Sequence, residues 1–199
     1  MLKTIVISLI LLVPYMSQAE LLSEEVMVSE IEAAWNMSYD KEGIRYNHPL
    51  RYDFHIYAVH ITMFIRGTDL YKYTDIHLII AAMVMKESGV NPKVKGKKRG
   101  ETGLLQVHGT AQGGYKKKLI RNNPHLGLYL GMKWLSTQIK YCPCFDKPHK
   151  DHFDRWLGVI TVYMAGVSKG KRGRQCKVFN GARKRIRLAR KYRKYLNSL

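Results

Sequence analysis

Glu87 is the residue in this chain whose type and place best suit acid–base chemistry. It lies at the end of an apolar run, residues 74–87, in which Ile76, Ile80, Met83 and Glu87 fall within about 60° of one another around an ideal helix. A carboxyl set on an apolar stripe is poorly hydrated, and its charged form is disfavoured. It can then hold a proton near neutral pH and deliver it to a leaving oxygen. The plainer reading is a helix-end acid turned to solvent, or paired with one of the many lysines. Ser88 follows, and then residues 100–106, GETGLLQ. Gly100 and Gly103 permit positive φ or close backbone approach. Leu104 and Leu105 are read as packing residues. Gln106 can hold the loop or touch a substrate acetamido group. Glu101 is a candidate second acid, and Tyr163 offers a phenol further on.

These groups need a frame, and the pattern supplies helices. Asp75, with Thr74 beside it, is placed to cap the helix that ends at Glu87. Gly89 and Pro92 stop that helix. Residues 20–39 read as a helix through Leu21, Leu22, Val26, Ile31, Ala34 and Trp35, and Gly43 and Pro49 break it. Residues 55–65 read as a second helix with Ile56, Val59, His60 and Met63 on its stripe. His60 is read as a core or boundary histidine rather than a ligand. Asn122, Asn123 and Pro124 open another helix, with Leu126, Leu130, Trp134 and Leu135 on one face and Gly127 and Gly131 allowing close packing. Residues 156–165 follow with Trp156, Val159, Ile160 and Tyr163. A basic helix from residue 182 carries Ile186, Ala189, Tyr192 and Leu196 on one stripe. It can dock on the domain, clamp an anionic wall or membrane surface, or do both.

Glu87-Ser88, the G-E-T-G-L-L-Q segment and Tyr163-Met164-Ala165-Gly166 together resemble the soluble lytic transglycosylases (the SLT family) and their goose-type lysozyme relatives. The resemblance covers about residues 70–170. Met164 stands where the family usually has Asn, and Val162 where it usually has Ala. The resemblance implies a mainly α, lysozyme-like domain with an active-site cleft. It implies Glu87 and Tyr163 as catalytic residues, and Ser88, Gln106 and Gly103 at the substrate side. It implies peptidoglycan as the substrate; no cofactor and no metal are expected. The product expected is a 1,6-anhydro-N-acetylmuramic acid end. A hydrolytic lysozyme and a catalytically weak cationic envelope protein on the same fold are the alternatives.

Composition agrees with an envelope partner. The 199 residues carry 34 Lys and Arg against 15 Asp and Glu, a formal charge of +19. That balance suits a polyanion. Residues 1–19 read as a signal peptide: Lys3, an apolar core, and Ser17 and Ala19 at the cleavage positions. Export to the periplasm or cell envelope argues against nucleic acid as the partner. The expected organisation is a signal peptide (1–19), N-terminal helices packed on the catalytic unit (20–70), the catalytic domain (71–180) and the basic helix (181–199). A monomer is expected. Work beside an envelope-spanning machine, wall recycling and lysis are all compatible contexts. Of the three cysteines, Cys142 or Cys144 can pair with Cys176, as suits an exported chain. His149 and His152 are the only nearby groups to complete a zinc set, and the spacing matches no zinc pattern.

Overall fold

The computed structural model describes residues 23–41, 53–96, 100–165 and 178–199. Among these the chain forms seven α-helices and no strand: α1 (Glu24–Lys41), α2 (Phe54–Arg66), α3 (Ile76–Ser88), α4 (Lys117–Asn122), α5 (Pro124–Ile139), α6 (Trp156–Ala165) and α7 (Asn180–Leu196). The mainly α expectation therefore holds. The proposed signal peptide, Gly43, Pro49, Gly166 and Cys176 lie outside the described residues. No described helix is long and apolar enough to cross a membrane.

α3 is the axle of the fold. Every residue from Ile76 to Met85 is buried, so the helix is covered on all sides and not along one stripe. α1, α2 and α7 pack around it. Trp35 of α1 is fully buried and donates its indole N–H to the Ala81 carbonyl at 3.1 Å. The Ser38 and Tyr192 hydroxyls share a 2.7 Å hydrogen bond that joins α1 to α7. α5 packs on α2 and α6, and α6 packs on α7. The N-terminal helices are thus part of the body that carries α3.

Several local expectations hold for the reasons given. α3 ends at Gly89 in the left-handed region, whose N–H bonds to the Met85 carbonyl. Asn123 caps α5 by accepting from the Leu126 N–H at 3.0 Å, and Pro124 takes the first position. α6 spans the residues read for it, with Trp156, Val159, Ile160 and Tyr163 buried. His60 stacks on His125 with ring centroids 3.8 Å apart.

Two expectations are corrected. The buried face of α2 is Phe54, Tyr57, Ala58, Ile61 and Ile65, while Ile56 and Met63 are 44% and 56% exposed. The two aromatic rings bury more apolar surface than the rival stripe, and Phe54 sits edge-on to Trp35. Asp75 precedes α3 but makes no cap with its side chain. It is buried, and its carboxylate accepts from Arg193 and, at 2.9 Å, from His152. Charge-assisted bonds to a guanidinium outweigh a single capping bond.

The cysteines separate into two kinds. Cys144 is disulfide-bonded, whereas Cys142 is a buried free thiol against Gly158. His149 donates to the Cys144 carbonyl at 2.6 Å.

Candidate active site

The last turn of α3 points Glu87 into a cavity of about 350 Å³. Gly96, Glu101, Gln106 and His108 line one side of it, and Tyr163 and Met164 of α6 line the other. The Glu87 side chain is 16% exposed. Burial pushes its carboxyl above the usual carboxylate range. The Arg185 guanidinium opposes that shift, the Glu101 charge adds to it, and His108 acts in the lowering sense. The net direction is upward, as a proton donor working near neutral pH requires.

The wall opposite is a tight turn. Thr102 and Val107 exchange both backbone hydrogen bonds, at 3.1 and 3.0 Å, and Gly103 between them has φ 80. Leu104 and Leu105 are buried beneath the turn. A Cβ on Gly131 of α5 would lie 2.6 Å from the Leu105 side chain, so α5 meets this turn at a glycine. Gln106 takes φ 49, and its Nε2 donates to the Gly103 carbonyl at 2.8 Å and the Val94 carbonyl at 3.1 Å. Its amide nitrogen therefore braces the turn from within while the residue faces the cavity. Glu101 lies directly against Gly96, where any side chain would collide with it.

Tyr163 links this turn to α6. Its hydroxyl donates to the Leu105 carbonyl at 2.6 Å. Burial and the neighbouring Glu87 charge push the phenol well above its ordinary range, so it remains a protonated donor. Met164, beside it, packs on Gly181 of α7. An apolar thioether thus occupies the wall where the resemblance calls for an amide.

Arg185 of α7 was not anticipated from the sequence. Its Nη2 donates to Glu87 Oε1 at 2.7 Å and its Nη1 to the Gly181 carbonyl at 2.9 Å. Among the described residues its Nε has no hydrogen-bond partner. The guanidinium is 9% exposed, so the acid and its counter-ion are withdrawn from water together. A signal existed: Arg185 lies one turn from both Ala182 and Ala189, on the stripe that α7 buries.

Of the residues singled out by type and spacing, Glu87, Gln106 and Tyr163 meet at one cavity, with Glu101 among them. Ser88 and Gly103 do not line it. The Ser88 hydroxyl donates back to the Val84 carbonyl at 3.1 Å, inside its own helix. Gly103 is backed by Ile120 and by Gly127 of α5. Both are buried behind the residues that line the cavity. Lys97, Lys98 and Arg99, which the sequence sets between Gly96 and this turn, lie outside the described residues.

An all-helical body with one half-buried acid at a helix end, facing a braced glycine turn, is a lysozyme-like architecture. The transglycosylase SLT domain family matches residues 68–185, more than half of the chain, and the chain belongs to that family. At family level it is a transglycosylase of peptidoglycan. No curated protein and no solved structure matches it.

Proposed function

We propose that this chain cuts the β-1,4 bond between N-acetylmuramic acid and N-acetylglucosamine without water, leaving 1,6-anhydro-N-acetylmuramic acid ends. The observation that carries the reading is Glu87, a cavity carboxyl held above its ordinary pKa with a guanidinium against it. The protonated carboxyl gives its proton to the glycosidic oxygen as the C1–O bond breaks, and the electron pair leaves with that oxygen. The substrate's own N-acetyl group stabilises the positive C1. Arg185 stabilises the Glu87 carboxylate that this step creates. Glu87 then takes the proton from the C6 hydroxyl, whose oxygen closes onto C1. The nucleophile is tethered, so its effective concentration is high. Tyr163 and Gln106 keep the turn opposite in place. The substrate lies in the envelope, and residues 1–19 carry the pattern for export.

A specific observation favours a second reading. Glu101 lines the same cavity, and a hydrolase of the lysozyme kind works with two carboxylates across the scissile bond. Digestion of purified peptidoglycan in ¹⁸O-water, read by mass spectrometry, separates the two. Unlabelled anhydro ends, one water lighter than reducing ends, are expected, and Glu87→Gln should abolish them while the protein stays folded. Labelled reducing ends as the main primary product would give the reaction to a hydrolase using Glu101.

A further inference from the structure

The eight arginines and lysines of α7 are sorted by the fold. Arg185, Arg190 and Arg193 turn inward. Arg185 meets Glu87, Arg190 meets Asp151 and Asp154 at 2.7 Å each, and Arg193 meets Glu30 at 2.8 Å as well as Asp75. Lys184, Arg187, Lys191 and Lys194 are exposed, and none has an acidic partner among the described residues. Their spacing places all four within about 80° of helix circumference, in a row about 15 Å long. The chain offers this row no acid from the segment around it, since no Asp or Glu follows Asp154.

Two depressions lie under the row. One, of about 330 Å³, is lined by Lys86, Lys184, Arg187, Leu188 and Lys191. The other, of about 360 Å³, runs between α1 and α7 and includes Met37, Leu188, Lys191, Lys194 and Tyr195. Leu188 and Lys191 belong to both, so the cationic and the more apolar depressions adjoin. Neither shares a lining residue with the catalytic cavity.

We propose that this outer face of α7 docks on an acidic phospholipid surface. The phosphates sit against Lys184, Arg187 and Lys191, and an acyl segment enters beside Met37, Leu188 and Tyr195. A cationic row alone would serve any polyanion. The adjoining apolar depression selects an amphiphile, because a wall polymer of phosphates or carboxylates would leave it uncovered. The lysine stems can lie along the apolar wall while their ammonium groups reach the headgroups.

The test uses the full chain, sedimented with phosphatidylcholine vesicles with and without phosphatidylglycerol. Binding should require phosphatidylglycerol and should fall steeply as salt rises from about 50 to about 200 mM. Millimolar inorganic phosphate at matched ionic strength should not displace the protein. A triple variant, Arg187→Gln, Lys191→Gln and Lys194→Gln, removes exposed charges only. Each is worth about fivefold at an acidic surface, so the variant should bind about a hundredfold more weakly. Its cleavage of short soluble glycans should stay within about twofold, since the cavity is untouched. Equal binding to neutral vesicles, salt-independent binding, displacement by phosphate, or a triple variant that binds like the parent would each overturn the proposal. So would a variant that keeps its vesicle binding but loses its hold on purified wall polymer, which would assign the row to the wall.

Discussion

Arg185→Gln tests whether the acid in the cavity is tuned by its counter-ion. Burial raises the Glu87 carboxyl on folding, and Arg185 holds that rise in check. A carboxyl raised on folding contributes stability that is present below its unfolded value and lost as pH climbs through its folded value. Removing Arg185 takes away the opposing influence, so more stability is lost on the alkaline side. With both side chains under a fifth exposed, screening by water is slight. At about pH 8, where the carboxyl must ionise or pay for staying neutral, breaking the pair should cost about 3 kcal/mol. At about pH 4 only a hydrogen bond to a neutral carboxyl is lost, about 1 kcal/mol. A domain of ordinary stability, about 5–15 kcal/mol, survives either loss. Urea denaturation of wild type and variant at both pH values gives the two differences directly. Repeating the pair in a Glu87→Gln background should remove the pH dependence, because nothing is left there to ionise. A difference that is the same at both pH values, or that persists as pH-dependent in the Glu87→Gln background, would refute the coupling. In turnover, the alkaline limb of the rate profile should move up in Arg185→Gln, while the maximal rate falls.

Tyr163→Phe keeps the ring and removes the bond to the buried Leu105 carbonyl, so it should cost about 1–3 kcal/mol and lower activity through the displaced turn; thermal melting alongside turnover checks both. Gly131→Ala sets a methyl against Leu105 and should cost about 1–3 kcal/mol while shifting residues 102–107, visible as faster amide exchange at Thr102 and Val107. Unchanged exchange there, with activity lost, would place the effect elsewhere.

The sequence was most legible where local chemistry decides. Gly89 must end α3 because the left-handed region is open to glycine, and the Asn123–Pro124 pair can serve as a helix start wherever it sits. It was less legible where two readings compete for the same residue. Ile56 and Met63 have helical spacing as good as that of Phe54 and Ile61, and the buried face is selected by what packs on it, including Trp35 and Tyr39 arriving from α1. Asp75 has the type and position of a cap, and its true partners lie 77 and 118 residues further along the chain. Arg185 was hidden among eight cations of one helix. Charge counting cannot say which of them faces an acid 98 residues away. Glu87 could be found because its oddity, a carboxyl in an apolar run, is local.

Family similarity ends at residue 185, in the second turn of α7. The folded unit does not end there. Beyond that point Arg193 reaches across to hold Glu30 of α1 and Asp75 at the head of α3, and its grip with His77 draws the Glu30 carboxyl down to about 2. A fragment cut to the edge of the similarity would keep Glu87 and its guanidinium but lose the strap that ties α1 and the head of α3 to α7. Among the described residues it would leave Glu30 with only His77, and Asp75 with only His152, as charged partners in an opened seam. The recognisable stretch of this chain is an inheritance; the object that folds is larger, and its last turns help to hold the helix that carries Glu87.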